Sequence, residues 1–177
     1  MRNLFFIGNK GTGKTTQAKL LQERLGYKPL LIGELLREKA KTDEEIMHIV
    51  SNGLPVPDSL INKVMSDFFK ENIGAPLVVD GNPYSKEQLD IYNSLIQEYS
   101  VNPILIEFEM PIELSLQRMT ERTRVDSDKN EKVLRKITDE VLPLAEHIVG
   151  YEEVIKVDAS SSVEEVFDKI KKIVDTF

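Results

Sequence analysis

Gly8-Asn9-Lys10-Gly11-Thr12-Gly13-Lys14-Thr15 is the stretch that decides how this 177-residue chain is read. It follows the apolar run Leu4-Phe5-Phe6-Ile7 and precedes an amphipathic stretch carrying Ala18, Leu20, Leu21 and Leu25. That order reads as strand, glycine loop, helix, and the spacing Gly-x4-Gly-Lys-Thr in that setting is a phosphate-cradling loop. Gly8, Gly11 and Gly13 let the backbone turn tightly with its N–H groups aimed at phosphate oxygens. The helix that opens near Lys14 turns its positive end on the same anion. Lys14 is expected to reach the terminal phosphates of a nucleotide, and the Thr15 hydroxyl to ligate Mg²⁺.

The bulk properties narrow the class. The length suits one domain with a core of its own. A hydrophobic fraction of 41% and a charged fraction of 30% are those of an ordinary globular chain. The net charge of −7 argues against a nucleic-acid binder, which needs a basic face. With no cysteine there is no disulfide framework, thiol nucleophile or cysteine zinc site. No secretory leader and no apolar run of membrane-spanning length is present, so a cytoplasmic protein without a membrane partner is expected.

Working outward from the loop, apolar runs alternate with helical patterns along the whole chain. Strands are expected at Leu4–Ile7, Pro29–Ile32, Pro76–Val79, Ile104–Phe108 and Val154–Val157. Five short buried runs separated by helices predict an α/β fold, a parallel sheet with helices on both faces and ligands at the carboxyl ends of the strands. Residues 33–73 hold two or three helices, more than one crossover needs, and are a candidate substrate-facing flap. The Ser160–Ser162 run reads as a helix-start loop, followed by an amphipathic helix from Val163 to Phe177.

Two features stand beside the loop. Leu77-Val78-Val79-Asp80 is a buried strand ending in an acid, which next to a phosphate loop points to a ligand for Mg²⁺ or its waters; a turn or helix-capping aspartate is the plainer alternative. Arg118 and Arg122, four apart, share a helix face, Arg124 follows, and Arg135 comes eleven residues later. A solvated charged face would explain any one of them. Four together fit phosphoryl transfer, in which positioned cations stabilise charge spread over the equatorial oxygens. His48 and His147 sit among apolar neighbours and are read as packing or surface residues.

At this point the chain resembles the adenylate kinase family of nucleoside monophosphate kinases. The loop continues as Lys14-Thr15-Thr16-Gln17-Ala18. Gly33-Glu34-Leu35-Leu36-Arg37 resembles the family's acceptor motif, and Gly53-Leu54-Pro55-Val56-Pro57-Asp58 the turn that closes its acceptor flap. Asp80-Gly81-Asn82-Pro83-Tyr84 stands in the place of Asp-Gly-Phe-Pro-Arg, with Gln88 where the family reads adenine. Arg118, Arg122, Arg124 and Arg135 match its arginines, and Val157-Asp158-Ala159 the segment near the ATP base. The resemblance implies a P-loop fold of strand order 2-3-1-4-5, with residues 33–73 as acceptor flap and 122–128 as a minimal lid.

It further implies transfer of the γ-phosphoryl of Mg·ATP to a nucleoside monophosphate, AMP, by a monomer. ATP would be held by Gly8, Gly11, Thr12, Gly13, Lys14, Thr15 and Thr16, with Arg118 and Ala159. Lys14, Arg118, Arg122, Arg124 and Arg135 would be catalytic. The acceptor would meet Gly33, Arg37, Val56, Gly81, Tyr84, Gln88, Arg124 and Arg135, and the metal Thr15 and Asp80.

The departures lie on the acceptor side. Tyr84 replaces an acceptor-phosphate arginine and carries no positive charge at pH 7. Losing one desolvated charge pair typically costs about 2–5 kcal/mol. Ile32 replaces Thr, Glu34 replaces Asp, and Asn82 replaces an aromatic. Two alternatives therefore stay open: a kinase of the same fold with another nucleotide or a small-molecule acceptor, and a nucleotide-binding regulatory module with little turnover.

Overall fold

The computed structural model describes residues 2–52, 56–81, 83, 85–123, 135, 138, 139 and 154–177. Five parallel strands run in the order β2-β3-β1-β4-β5: β1 Asn3–Gly8, β2 Lys28–Leu31, β3 Leu77–Asp80, β4 Pro103–Glu109 and β5 Val154–Asp158. Between them lie α1 (Lys14–Leu25), α2 (Ile32–Lys39), α3 (Glu44–Asn52), α4 (Asp58–Glu71), α5 (Lys86–Glu98) and α6 (Ile112–Thr123); α7 (Val163–Thr176) follows the last strand. The expected strand order and layering are those observed. The second strand stops one residue short of the expected Ile32, because Leu31↔Asp80 is its last pair and Ile32 already begins α2.

Alternation along the strands builds two cores. Phe5 and Ile7 of β1 face one side with Val79 and Leu105, where α4 supplies Met65 and Phe69 and α5 supplies Tyr92 and Leu95. Leu4 and Phe6 face the other side with Val78 and Ile106, covered by Ala18 and Leu21 of α1 and by Phe167 and Ile170 of α7. Strand residues committed on both faces read as continuous apolar runs, which is why they stood out in the sequence. The first strand after the amino end is thereby central, with β3 and β4 as its neighbours.

The register sets where the strands end. Phe6 pairs with Asp80, so β1 runs two residues past the end of β3, while Gly8 pairs with Phe108 near the end of β4. Asp80 therefore sits beneath the turn that leaves β1. The helices α2, α3 and α4 fill the interval between β2 and β3, where two or three were expected over residues 33–73. At the far end, α7 starts with a reciprocal capping box in which Ser162 and Glu165 satisfy each other's backbone N–H groups. Among the described residues no helix is long and apolar enough to cross a membrane.

Gly8 adopts φ +132°, and a Cβ there would stand 2.8 Å from the Phe108 carbonyl oxygen. Both strain and overpacking follow from adding a methyl group, so Gly8→Ala should cost about 2–4 kcal/mol in urea unfolding. Gly74→Ala, at φ +79° in open space, should cost only about 1 kcal/mol. Equal losses in the two variants would show that the approach of β1 to β4 is not what demands glycine at position 8.

Candidate nucleotide site

The turn after β1 is held open by backbone geometry and closed by its own side chains. Gly11 and Gly13 take φ +85° and +92°, a region that favours glycine. A Cβ on Gly11 would lie 2.8 Å from the Ser115 carbonyl oxygen of α6, so the loop also rests directly against that helix. The Thr12 hydroxyl, buried, donates to the Asn9 carbonyl at 2.9 Å across the turn.

Helix α1 begins at once after Gly13, with no side-chain cap and no acidic residue in its first turn. By contrast α7 carries a complete capping box and α5 is capped by the Ser85 hydroxyl. The N–H groups at the start of α1 thus lack a side-chain acceptor, as do those of α2 and α4, and it is the glycine turn before α1 that makes this end suited to an anion.

Lys14 lies inside the loop it opens from. Its Nζ donates to the carbonyls of Gly8 and Asn9, both at 2.8 Å. Burial pulls its pKa down to about 8; the Asp80 carboxylate opposes this and the positive charge of Lys10 adds to it. The Thr15 hydroxyl donates to Asp80 Oδ2 at 2.5 Å. A hydroxyl and a carboxylate meeting at the strand end are hard oxygen donors of the kind Mg²⁺ takes. Among the described residues no group of three or more acids or histidines surrounds a common point. The pair therefore suits an ion that completes its shell with water and phosphate oxygens, as Mg²⁺ does in nucleotide enzymes.

A cavity of about 320 Å³ opens on the outer side of the loop, between Thr12, Gly13 and Thr16 on one wall and Ala159 and Ser161 on the other. Arg118 of α6 lines it, donating to the carbonyls of Ala159 and Ser160 at 3.2 and 3.3 Å. Ala159 is itself pinned by an N–H bond to Glu109, so the loop after β5 is tied to β4. The phosphate loop, Arg118 and Ala159 are thus brought together around one space. Gln17 and Val166 close its floor.

The described residues that the sequence reading expects to meet an acceptor lie beyond the ends of β2 and β3 and on the helices that follow. The Arg37 guanidinium folds back over Gly33, 3.5 Å from where a Cβ would be, and is exposed. Glu34 is engaged by Lys19 of α1 at 2.7 Å. The Gly81 carbonyl accepts from the Tyr92 hydroxyl, with Ile32 packed over Gly81. Val56 packs against the same core as Ile32 and Leu35. Gln88 is buried in the first turn of α5, its backbone N–H bonded to the Ser85 cap.

Arg135 is helical and exposed. Tyr84, Asn82, Arg124, the Gly53–Pro55 part of the turn and His147 lie outside the described residues, as does the Arg122 side chain. Two loop residues carry more than their place in the motif suggested. Asn9 is buried and donates from Nδ2 to the Thr138 hydroxyl at 2.8 Å, tying the loop to the segment that contains Arg135. Lys10 adds a second ammonium near Lys14. Both occupy variable positions of the spacing rule, so only their departure from small residues signalled them.

A family model described as adenylate kinase matches residues 6–173 of the chain. The adenylate kinase of Tropheryma whipplei (strain Twist) is 30% identical over 177 residues, covering 96% of this chain and 95% of that protein. The UMP-CMP kinase of Sus scrofa is 31% identical over 188 residues, covering 97% and 96%. The adenylate kinase of Porphyromonas gingivalis is 28% identical over 189 residues, covering 100% and 97%.

The lowered pKa of Lys14 has a sign that can be tested. The unfolded chain holds this proton up to about 10.5 and the folded protein only to about 8, so the group opposes folding below pH 8. That opposition is relieved as pH rises from 8 toward 10.5. The contribution is on the order of 2 kcal/mol after allowing for partial solvent access. Urea midpoints of the nucleotide-free protein should therefore contain a component that rises over this window, and Lys14→Met should remove it. An identical pH dependence in the two proteins would contradict the burial of the ammonium.

Proposed function

The chain belongs to the adenylate kinase family and is a nucleoside monophosphate kinase, and from that premise we propose that Mg·ATP is its donor and AMP its acceptor. Relatives of similar identity carry the names adenylate kinase and UMP-CMP kinase, so the choice of base rests on this chain's own residues. The observation that carries it is Gln88, buried at the start of α5 just beyond the Asp80–Gly81 strand end. An amide offers a donor group and an acceptor, the complement of the adenine N6 and N1 edge; cytosine presents the same pair at N4 and N3, so the choice between them falls to the apolar walls. The extra methylene of Gln88 over asparagine gives it a longer reach than a shorter amide would have. The apolar side chains of Ile32, Leu35 and Val56, packed together on one core, suit the faces of a purine.

In this reading the loop N–H groups and the start of α1 fix the donor phosphates, and Arg118 with Ala159 borders its base. Lys14 follows the phosphoryl group as its charge moves between donor and acceptor, with Arg122, Arg124 and Arg135 joining it. Arg37 anchors the acceptor phosphate beside Gly33 and Gly81. An acceptor phosphate oxygen attacks the γ-phosphorus, the bond to the β–γ bridging oxygen breaks, and ADP leaves from both sides. The acceptor is already ionised, so no protein base is required and positioning carries the rate. Mg²⁺, held by Thr15 and Asp80 with its waters, supplies charge neutralisation on the phosphate oxygens when bound. Residues 33–73 form the acceptor flap and 122–128 a minimal lid, whose closure excludes water from the transfer.

A different nucleotide acceptor is the second reading, favoured by the neutral Tyr84 where the family places an arginine. Coupled ADP release with AMP, CMP, UMP and GMP separates the two. AMP should exceed each rival by at least about tenfold in kcat/KM, the discrimination expected of a buried polar contact. Tyr84→Arg should then lower the KM for AMP by roughly tenfold, since a charge-assisted pair is restored. A preference for CMP or UMP, or a loss of AMP turnover in Tyr84→Arg, would overturn the AMP assignment.

A further inference from the structure

The family pattern leaves two residues of the loop without a task, Asn9 and Lys10, and Asn9 has a partner inside the protein, so the question falls on Lys10. It stands between Asn9, which turns inward to Thr138, and Gly11, which is pressed against Ser115. With its two neighbours committed to the protein side, Lys10 is left exposed. Among the described residues it makes no ion pair and donates no hydrogen bond. A long cationic side chain at a tight turn is usually a solvated one, and three observations argue otherwise here.

The first is the direction of the triphosphate. Thr12, Gly13 and Thr16 line the cavity shared with Ala159, so that side of the loop faces the base and sugar. Lys14 Nζ lies at the opposite end, on the Gly8 and Asn9 carbonyls, with Thr15 and Asp80 nearby. A phosphate chain entering from the cavity therefore reaches this strand end with its last group. Lys10 follows Asn9 directly and belongs to that end.

The second is charge. Lys10 raises the electrostatic cost of the Lys14 ammonium, which places the two cations within each other's field. Enough protein surrounds the Lys10 ammonium to lower its own pKa as well, although the residue as a whole is exposed. Asp80 is the carboxylate that opposes the charge on Lys14, and it is already bonded to Thr15. Two ammonium groups, with one occupied carboxylate acting on Lys14, make an excess of positive charge that an anion would relieve. The third is composition: with Tyr84 neutral, the chain has one cation fewer on the acceptor side than its family pattern, and Lys10 adds one at the loop.

We propose that Lys10 is a second phosphate-binding cation of the loop, contacting the terminal phosphoryl group of ATP alongside Lys14. It would favour the triphosphate over the diphosphate, and would stay on the phosphoryl as it passes to the acceptor. The proposal rests on the nucleotide-kinase reading of this site but not on the choice of AMP, since it concerns the donor alone.

Titration calorimetry with Mg·ATP and with Mg·ADP, without any acceptor, tests it on the full chain. Lys10→Met should weaken ATP by about tenfold or more while leaving ADP within about twofold, the scale of one charge-assisted contact to the group that ADP lacks. Lys10→Arg should restore most of the difference. The thermal midpoint of Lys10→Met should be no lower than the parent's, because the residue is exposed, makes no bond among the described residues and repels Lys14. Equal weakening of both nucleotides, or weakening of neither, overturns the proposal while leaving the kinase reading intact. A parent protein that binds neither nucleotide overturns that reading and the proposal with it.

Discussion

Lys14 donates to two main-chain carbonyls inside a turn whose glycines at 8, 11 and 13 all sit at positive φ, and Asp80 is the carboxylate that offsets the cost of burying it. Most other features of the structure serve this constraint. The ammonium is kept in a place that lowers its pKa, beside helix N–H groups that have no side-chain cap. Such an arrangement is unfavourable for the empty protein and favourable for one holding a polyanion, because the anion repairs several deficits together. Stability given up at the loop is returned as binding to the group that belongs there.

The sheet is what lets the chain hold so unfavourable a turn. With β1 central and paired on both sides, the strand before the loop cannot retreat. Asp80 is delivered beneath the loop by the register with β3, and Phe108 of β4 presses on Gly8 from the other side. The two cores, one under α4 and α5 and the other under α1 and α7, then fix the sheet from both faces. The cavity beside the loop is assembled in the same way, from α6, the loop and the turn after β5, joined through Arg118 to the carbonyls of Ala159 and Ser160.

The side on which the proposed function puts the acceptor is built on different terms. Its residues hang from the ends of β2 and β3 and from short helices, and their contacts are partly with one another. Glu34 meets Lys19 and Arg37 covers Gly33, while Ile32 rests over Gly81. A surface of this kind tolerates substitution more readily than the loop, since among its described residues no positive φ and no buried charge depends on it. Glu34 and Ile32, which depart from the family pattern, belong to this surface, where the proposed function puts the acceptor.

How much of this was legible along the chain depends on the range of the interaction. Glycine at a forced φ, a lysine and a threonine at fixed spacing after it, and apolar strands buried on both faces are local properties. They were readable from residues 4–25 and from the five apolar runs, and the strand order expected from them is the one observed. The boundary at Ile32 was not, because pairing with Asp80 and not propensity ends β2.

Neither was the bond from Asn9 to Thr138, made across 129 residues, nor the clamp of Arg118 on Ala159, across 41. The nearness of Lys10 to Lys14 could be counted in the sequence, yet whether two lysines four apart face one space depends on how the turn is pressed against α6 and β4. Spacing determines which groups a short segment can present. Only packing through space decides what those groups meet, because the contacts are chosen by the shape of the whole core and not by any stretch of it.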